Sequence, residues 1–168
     1  ASAQTWVNLH LAYTHGYGVV AAQVNRAESS GQPDLVVSGF DQQQAAIPVR
    51  QPRIYFGEPS PDTPTYVVVG SRQPEVDSPS VSGQGQTSFR YDGHGGVQLS
   101  SPLRRFAAAL HFTDLNLLIS SNLNGRSRIL FNRDIRDRME KAAPFLQWDA
   151  DPYVAVVDGR VVFIRDGY

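Results

Sequence analysis

The sequence has no cysteine, one lysine (Lys141), one methionine (Met139) and no run of 18 or more apolar residues. Without cysteine there is no disulfide, thiolate nucleophile, zinc-thiolate site or iron–sulfur cluster. Without a long apolar run no helix of these residues spans a bilayer, so direct membrane insertion by this segment is not expected. Charge of one sign is lacking too: 15 basic residues face 16 acidic ones, for a net charge of −1. That balance argues against nucleic acid as a partner and against a polybasic membrane-surface module. The other 14 basic residues are arginines. Ala1-Ser2-Ala3-Gln4-Thr5 has neither the charged start nor the apolar run of a signal peptide. The expectation is a segment of a larger protein, folded as a single domain over 1–168; a chain of this length buries roughly 70% of its unfolded surface without staples.

Trp6 to Val24 is aromatic and β-branched, interrupted by Gly16 and Gly18, and reads as one or two strands bent at the glycines. Leu35–Val37, Arg53–Phe56 and Tyr66–Val69 are strand-like, and Asp41–Ala46 reads as a brief helical turn. Pro59, Pro61 and Pro64 keep the segment between the last two strands out of helix and sheet. Residues 71–101, rich in Ser, Gly, Gln and Pro, read as a mobile loop. Ser101-Pro102 is a helix cap followed by proline at the first helical position, and Leu103, Phe106, Ala107, Leu110, Leu117 and Leu118 continue with helical period. A second helix is expected from near Ser127 to before Pro144, with Phe131, Ile135, Met139 and Ala142 on its apolar face. Tyr153–Val157, Asp158-Gly159 and Arg160–Ile164 form a β-hairpin around a type I′ turn. Together these predict an α+β fold: a mixed or antiparallel sheet, two main helices in the C-terminal half and a C-terminal β-hairpin.

No single motif names a reaction. Gly16-Tyr17-Gly18-Val19-Val20-Ala21 matches the G-x-G-x-x-A fingerprint, with Asp41 following at about the usual spacing. The polar stretch before it is ill suited to the buried first strand of a parallel sheet, so glycines that permit a bend are the stronger reading. His10, His15, His94 and His111 make no H-x-x-x-H pair, and Asp149, Asp151 and Asp158 lack the rest of a calcium loop, so no metal or cofactor is expected. No G-x-S-x-G elbow is present. Arg126, Arg128, Arg133, Arg136 and Arg138 lie within 13 residues and could grip an anion. Arg133–Asp137, Asp134–Arg138, Arg136–Glu140 and Asp137–Lys141 are i,i+4 pairs, so a self-neutralising helix face is the simpler reading. Arg104 and Arg105, at a helix start where cations oppose the dipole, point to a carboxylate or ligand contact.

Six strings carry a family resemblance: Asn8-Leu9-His10-Leu11, Tyr13-Thr14-His15-Gly16-Tyr17-Gly18, Ile54-Tyr55-Phe56-Gly57-Glu58, Ser127-Arg128-Ile129-Leu130-Phe131, Ala143-Pro144-Phe145-Leu146 and Asp149-Ala150-Asp151-Pro152-Tyr153. In order and spacing they resemble an uncharacterised ("UPF") family of large multi-pass bacterial membrane proteins, mainly actinobacterial. The resemblance implies a cell-membrane protein with a large extracytoplasmic region, of which this chain is a part. The implied partners are the remainder of its own membrane-embedded chain and other envelope proteins. The resemblance supplies no catalytic role.

Three functions compete. The first is a non-catalytic extracytoplasmic domain for interaction, assembly or ligand sensing, in which Tyr13, Phe56, Phe131 and Phe145 are expected to be buried. The second is a cell-envelope hydrolase using His15, Glu58, Asp149 or Asp151 as acid–base groups. The third is an anion- or nucleotide-binding module using Gly16 and Gly18 with Arg104, Arg105 or Arg128. The first is preferred.

Overall fold

The computed structural model describes residues 3–78 and 87–168. A short helix, α1 (Ala3–Val7), runs into a π-helical turn over Asn8–Ala12. Strands β1 (Gly16–Tyr17), β2 (Ala21–Ala27), β3 (Pro33–Val37), β4 (Arg53–Ile54) and β5 (Tyr66–Val69) follow. Next come β6 (Glu75–Ser78), β7 (Thr87–Phe89) and β8 (Val97–Gln98), all within the stretch expected to be a loop. Helices α2 (Pro102–Phe112) and α3 (Asn116–Ile119) precede β9 (Arg128–Phe131). Helix α4 (Ile135–Ala142) and strands β10 (Tyr153–Val157) and β11 (Arg160–Ile164) complete the α+β order. The residues divide into two compact units, one of residues 1–14 with 59–133 and the other of 15–58 with 134–168.

The first unit is built on a three-stranded antiparallel sheet in the order β5-β9-β8, with Val67 opposite Leu130 and Ile129 opposite Val97. All four residues of β5 are buried. Trp6, Leu11, Tyr66, Val68, Leu99, Ala109, Leu117, Leu123 and Ile129 form one apolar cluster. The strand expected over the first part of Trp6–Val24 is helical instead. Aromatic content pointed to strand, but Trp6, His10 and Leu11 are spaced four and five apart, which puts all three on the buried side of a helix. The Tyr13 N–H reaches back five residues to the Asn8 carbonyl at 2.9 Å, as a π-turn requires.

The helix expected from Ser127 also fails at its start. Ile129 and Leu130 are adjacent and both buried, which needs cover on both faces; a central strand supplies it and an amphipathic helix does not. Helix α4 begins only at Asp134, whose carboxylate accepts the Arg136 N–H at 2.8 Å. The first helix does start as read: the Ser101 hydroxyl accepts the Arg104 N–H at 3.3 Å, with Pro102 at the first helical position. It stops early, at Thr113, which takes a left-handed conformation. Its Leu103, Phe106 and Leu110 are exposed, and burial falls to Ala109 and, in α3, Leu117.

The second unit has little apolar interior; Val37 and Val49 are its buried hydrophobic residues. Three two-stranded antiparallel ladders organise it: β1-β4, β2-β3 and β10-β11. The C-terminal hairpin forms as read, with Asp158 at φ 50° and Gly159 at φ 73°. Charged residues of α4 reach outside the helix rather than closing only on their i,i+4 neighbours. Arg136 pairs with Glu58 at 2.6 Å, Glu140 pairs with Arg165 at 3.0 Å, and the Arg138 guanidinium sits 4.0 Å over the Phe56 ring. Of the four aromatics expected to be buried, Phe56 and Phe131 are half-buried, while Tyr13 and Phe145 are 57% and 82% exposed.

Candidate functional site

A cleft of about 860 Å³ with convergent polar groups lies in the first unit. That is ample for a small organic ligand. Three stretches wall it: the Gly70-Ser71 corner after β5, the Arg90–His94 loop after β7, and the Asn124–Arg126 turn leading to Arg128 on β9.

Each wall is pinned by its own hydrogen bonds. In the turn, the Asn124 N–H donates to the Ser127 hydroxyl at 2.9 Å, and the Arg126 N–H donates to the Asn124 side-chain oxygen at 2.7 Å. Gln98 Nε2 donates to the Gly125 carbonyl at 2.7 Å, tying the turn to β8. Arg128 holds the loop: its Nε donates to the Gly95 carbonyl at 2.7 Å, and one Nη donates to the carbonyls of His94 at 2.7 Å and Gly96 at 3.1 Å. Tyr91 closes the same loop by accepting the Gly95 N–H at its phenol oxygen, 3.1 Å away. Beneath it lies Glu75, only 2% exposed, whose carboxylate accepts the Tyr91 N–H at 3.1 Å and the Thr14 hydroxyl at 2.5 Å. A buried carboxylate thus fixes the backbone from which Tyr91 projects.

The cleft's charge is one-sided. Three guanidinium groups, Arg90, Arg126 and Arg128, face one carboxylate, Asp92. Arg90 spends part of its donor set on the Ser71 carbonyl at 3.2 Å. The exposed Arg126 side chain has no partner among the described residues. Guanidinium forks suit carboxylates and phosphates, and donors already fixed by carbonyl contacts lose little freedom on binding.

A second polar cluster stiffens the unit next to the core. Tyr66 donates from its phenol to Asp114 Oδ2 at 2.5 Å, and Trp6 Nε1 donates to the same oxygen at 2.8 Å. Asp114 Oδ1 accepts both the backbone and side-chain N–H of Asn116 at 2.9 Å. Desolvation alone would raise the Asp114 pKa; the bonds from Tyr66, Asn116 and Trp6 outweigh it and hold the carboxyl below its ordinary value. Burial pushes the Tyr66 phenol upward, as does its bond to Asp114. Burial also lowers the His10 pKa, although Nδ1 donates to the Tyr66 carbonyl at 2.9 Å. Arg133, desolvated to a pKa of about 10, donates to the Thr14 carbonyl at 2.8 Å and the Pro64 carbonyl at 3.4 Å.

The model of an uncharacterised protein family, UPF0182, matches residues 1–168. The chain belongs to the UPF0182 family. A UPF0182 protein of Kineococcus radiotolerans is 47% identical over 165 residues, covering 98% of this chain and 16% of the relative. One of Frankia alni is 45% identical over 174 residues, covering 100% and 16%. One of Moorella thermoacetica is 38% identical over 167 residues, covering 99% and 18%. The chain therefore spans about one-sixth of the length of these UPF0182 relatives. No solved structure matches it.

Of the strings that carried the family resemblance, Asn8–Leu11 and Ser127–Phe131 contribute Leu11 and Ile129 to the core cluster. The same second string puts Arg128 in the cleft. Arg104 and Arg105, expected to contact a ligand, reach main-chain carbonyls of Gln98 at 3.3 Å and Leu99 at 3.5 Å. His15, Glu58, Asp149, Asp151, Gly16 and Gly18 all belong to the second unit. His15 packs against Tyr55, ring centroids 5.0 Å apart, and Glu58 is engaged by Arg136. Asp149 accepts the Asp151 N–H in one turn at 3.4 Å. Gly16 pairs with Ile54. Gly18, at φ +71°, leaves no room for a side chain: a Cβ would lie 2.4 Å from the Gln42 amide. That amide accepts the Val19 N–H at 3.0 Å, and strand β2 follows where a phosphate-binding loop would run into a helix. Sequence reading missed Arg90, Tyr91, Asn124 and Glu75, which come together only through the tertiary fold. Arg126 was visible only as one of five arginines within 13 residues that could grip an anion.

Proposed function

We propose that this region is a non-catalytic ligand-binding part of a larger, membrane-anchored UPF0182 protein, exposed on the extracytoplasmic side. Its ligand is a small anion bearing a carboxylate or phosphate. The observation that carries the ligand reading is the cleft with three arginines against one aspartate, with Arg126 free of partners among the described residues. The membrane and extracytoplasmic context rests on the resemblance of the sequence strings to multi-pass membrane proteins.

Thermal-shift titration of the full-length protein tests the binding. The probes are inorganic phosphate, citrate, glucuronate and sugar phosphates, each run against wild type and Arg126→Ala. A ligand at 100 times its dissociation constant adds about 2.7 kcal/mol of stability. The expected result is a shift for at least one probe that Arg126→Ala removes. No shift for any of them, or a shift that Arg126→Ala keeps in full, overturns the reading. Protease digestion of intact cells, with cleavage inside this region expected, tests the side of the membrane.

A further inference from the structure

A helix with apolar residues at helical spacing normally turns them toward a core. In α2 they face the other way. Leu103, Phe106 and Leu110 lie on the exposed side, and α3 with its preceding residue adds Leu115, Leu118 and Ile119. Leu110 and Leu115 are 71% and 72% exposed. The left-handed turn at Thr113 folds α3 beside α2, so that part of this surface is concave. The groove holds about 350 Å³, with Ala109 and Thr113 among its smaller lining residues and no charged residue in its lining. Its shape and chemistry fit a bulky apolar knob from another helix more closely than a flat bilayer. A clustered exposed surface of this kind marks a place where something docks.

We propose that the α2–α3 face is an intramolecular docking surface, covered in the full-length protein by an apolar segment from outside these 168 residues. Two observations favour that occupant. The UPF0182 relatives are about six times as long as this chain, so most of their polypeptide is tethered to this region. Tethering by a linker able to span the distance raises the effective concentration of a covalently linked partner, to the millimolar range for a short flexible one, ahead of a second copy or a separate protein. The groove's uncharged lining also excludes the arginine-rich recognition that the cleft uses. The inference rests on the chain being part of a longer polypeptide and is independent of the cleft's ligand.

Site-specific photocrosslinking in the full-length protein, in its native membrane, tests it. Benzoylphenylalanine is introduced singly at Leu110, at Leu115 and, as a control, at the exposed Ser60. Because the two leucines are exposed, the probe leaves the core intact. Adducts are mapped by mass spectrometry. The expected result is an intrachain crosslink from Leu110 and Leu115 to a peptide outside the 168 residues, at a yield at least fivefold above the Ser60 control. An adduct to lipid, to a second copy, to a different protein or to a peptide inside these residues overturns the proposal, as does no adduct from either leucine.

Discussion

Asp114→Asn probes the reasoning about the buried polar cluster most sharply. The Asp114 carboxylate accepts four hydrogen bonds, two on each oxygen, from Trp6, Tyr66 and Asn116. An asparagine keeps one oxygen and turns an NH2 group toward the other pair of donors. Two bonds are then lost and two lose their ionic character. Bonds to a charged group contribute about 1.5–3 kcal/mol against about 1 kcal/mol for neutral ones. Part of this is screened because Asp114 is only half-buried, so the expected loss is about 1–3 kcal/mol at pH 7. The assay is urea unfolding followed by Trp6 fluorescence in a Trp148→Phe background, which makes Trp6 the only tryptophan of these residues. The sign of the pH dependence gives a second check. A carboxyl held below its ordinary pKa of 3.8 stabilises the fold fully above that value and loses its contribution as pH falls through the lower folded value. The gap between wild type and Asp114→Asn must therefore close as pH drops well below 3.8. A gap under about 0.5 kcal/mol at pH 7, far less than four charge-assisted bonds imply, or one of equal size at both pH values, refutes the reasoning.

Glu75→Ala leaves the Tyr91 N–H and the Thr14 hydroxyl without their buried acceptor, at about 1–3 kcal/mol. Hydrogen exchange at the Tyr91 amide should accelerate at least tenfold, and unchanged exchange would contradict the role given to Glu75. Arg128→Met releases the carbonyls of His94, Gly95 and Gly96. Faster exchange confined to the 91–96 loop is expected, whereas loosening of the whole sheet would show that Arg128 supports the core instead. His10, whose pKa burial lowers, is neutral in the fold, so it contributes stability that is complete above 6.5 and falls as pH drops below that value toward its folded pKa. Urea midpoints at pH 7.5 and 5.5 should differ in wild type and differ less in His10→Gln; equal differences in the two proteins would sink this assignment.

Local rules made much of this fold legible. The Asp158-Gly159 hairpin, the Ser101-Pro102 helix start and the Tyr66–Val69 strand each follow from turn, cap or β-branched chemistry acting over a few residues. The misreadings share a cause in tertiary packing. Ser127–Phe131 sits among residues with helical spacing, yet its Ile129 lies between Val68 and Val97 of two other strands, and Ile129 and Leu130 are both buried. The stripe of α2 has the period of a core face but turns outward, because Ala109 rather than Leu110 meets the cluster. The cleft was legible only as loose arginines. Arg90, Arg126 and Arg128 are spread over 39 residues of sequence, and the glycine-rich loop, the Asn124 turn and β9 bring them together. No spacing rule joins such positions.

Isothermal titration of the full-length protein with the best anionic probe from the thermal screen, for wild type and Arg126→Ala, tests the central claim most directly. One charge-assisted contact contributes about 1.5–3 kcal/mol, which corresponds to roughly 10- to 150-fold in affinity. The account predicts saturable binding, one site per chain, weakened by about that factor in Arg126→Ala and by rising salt. Absence of saturable binding in wild type, or equal affinity in the two proteins, would contradict it.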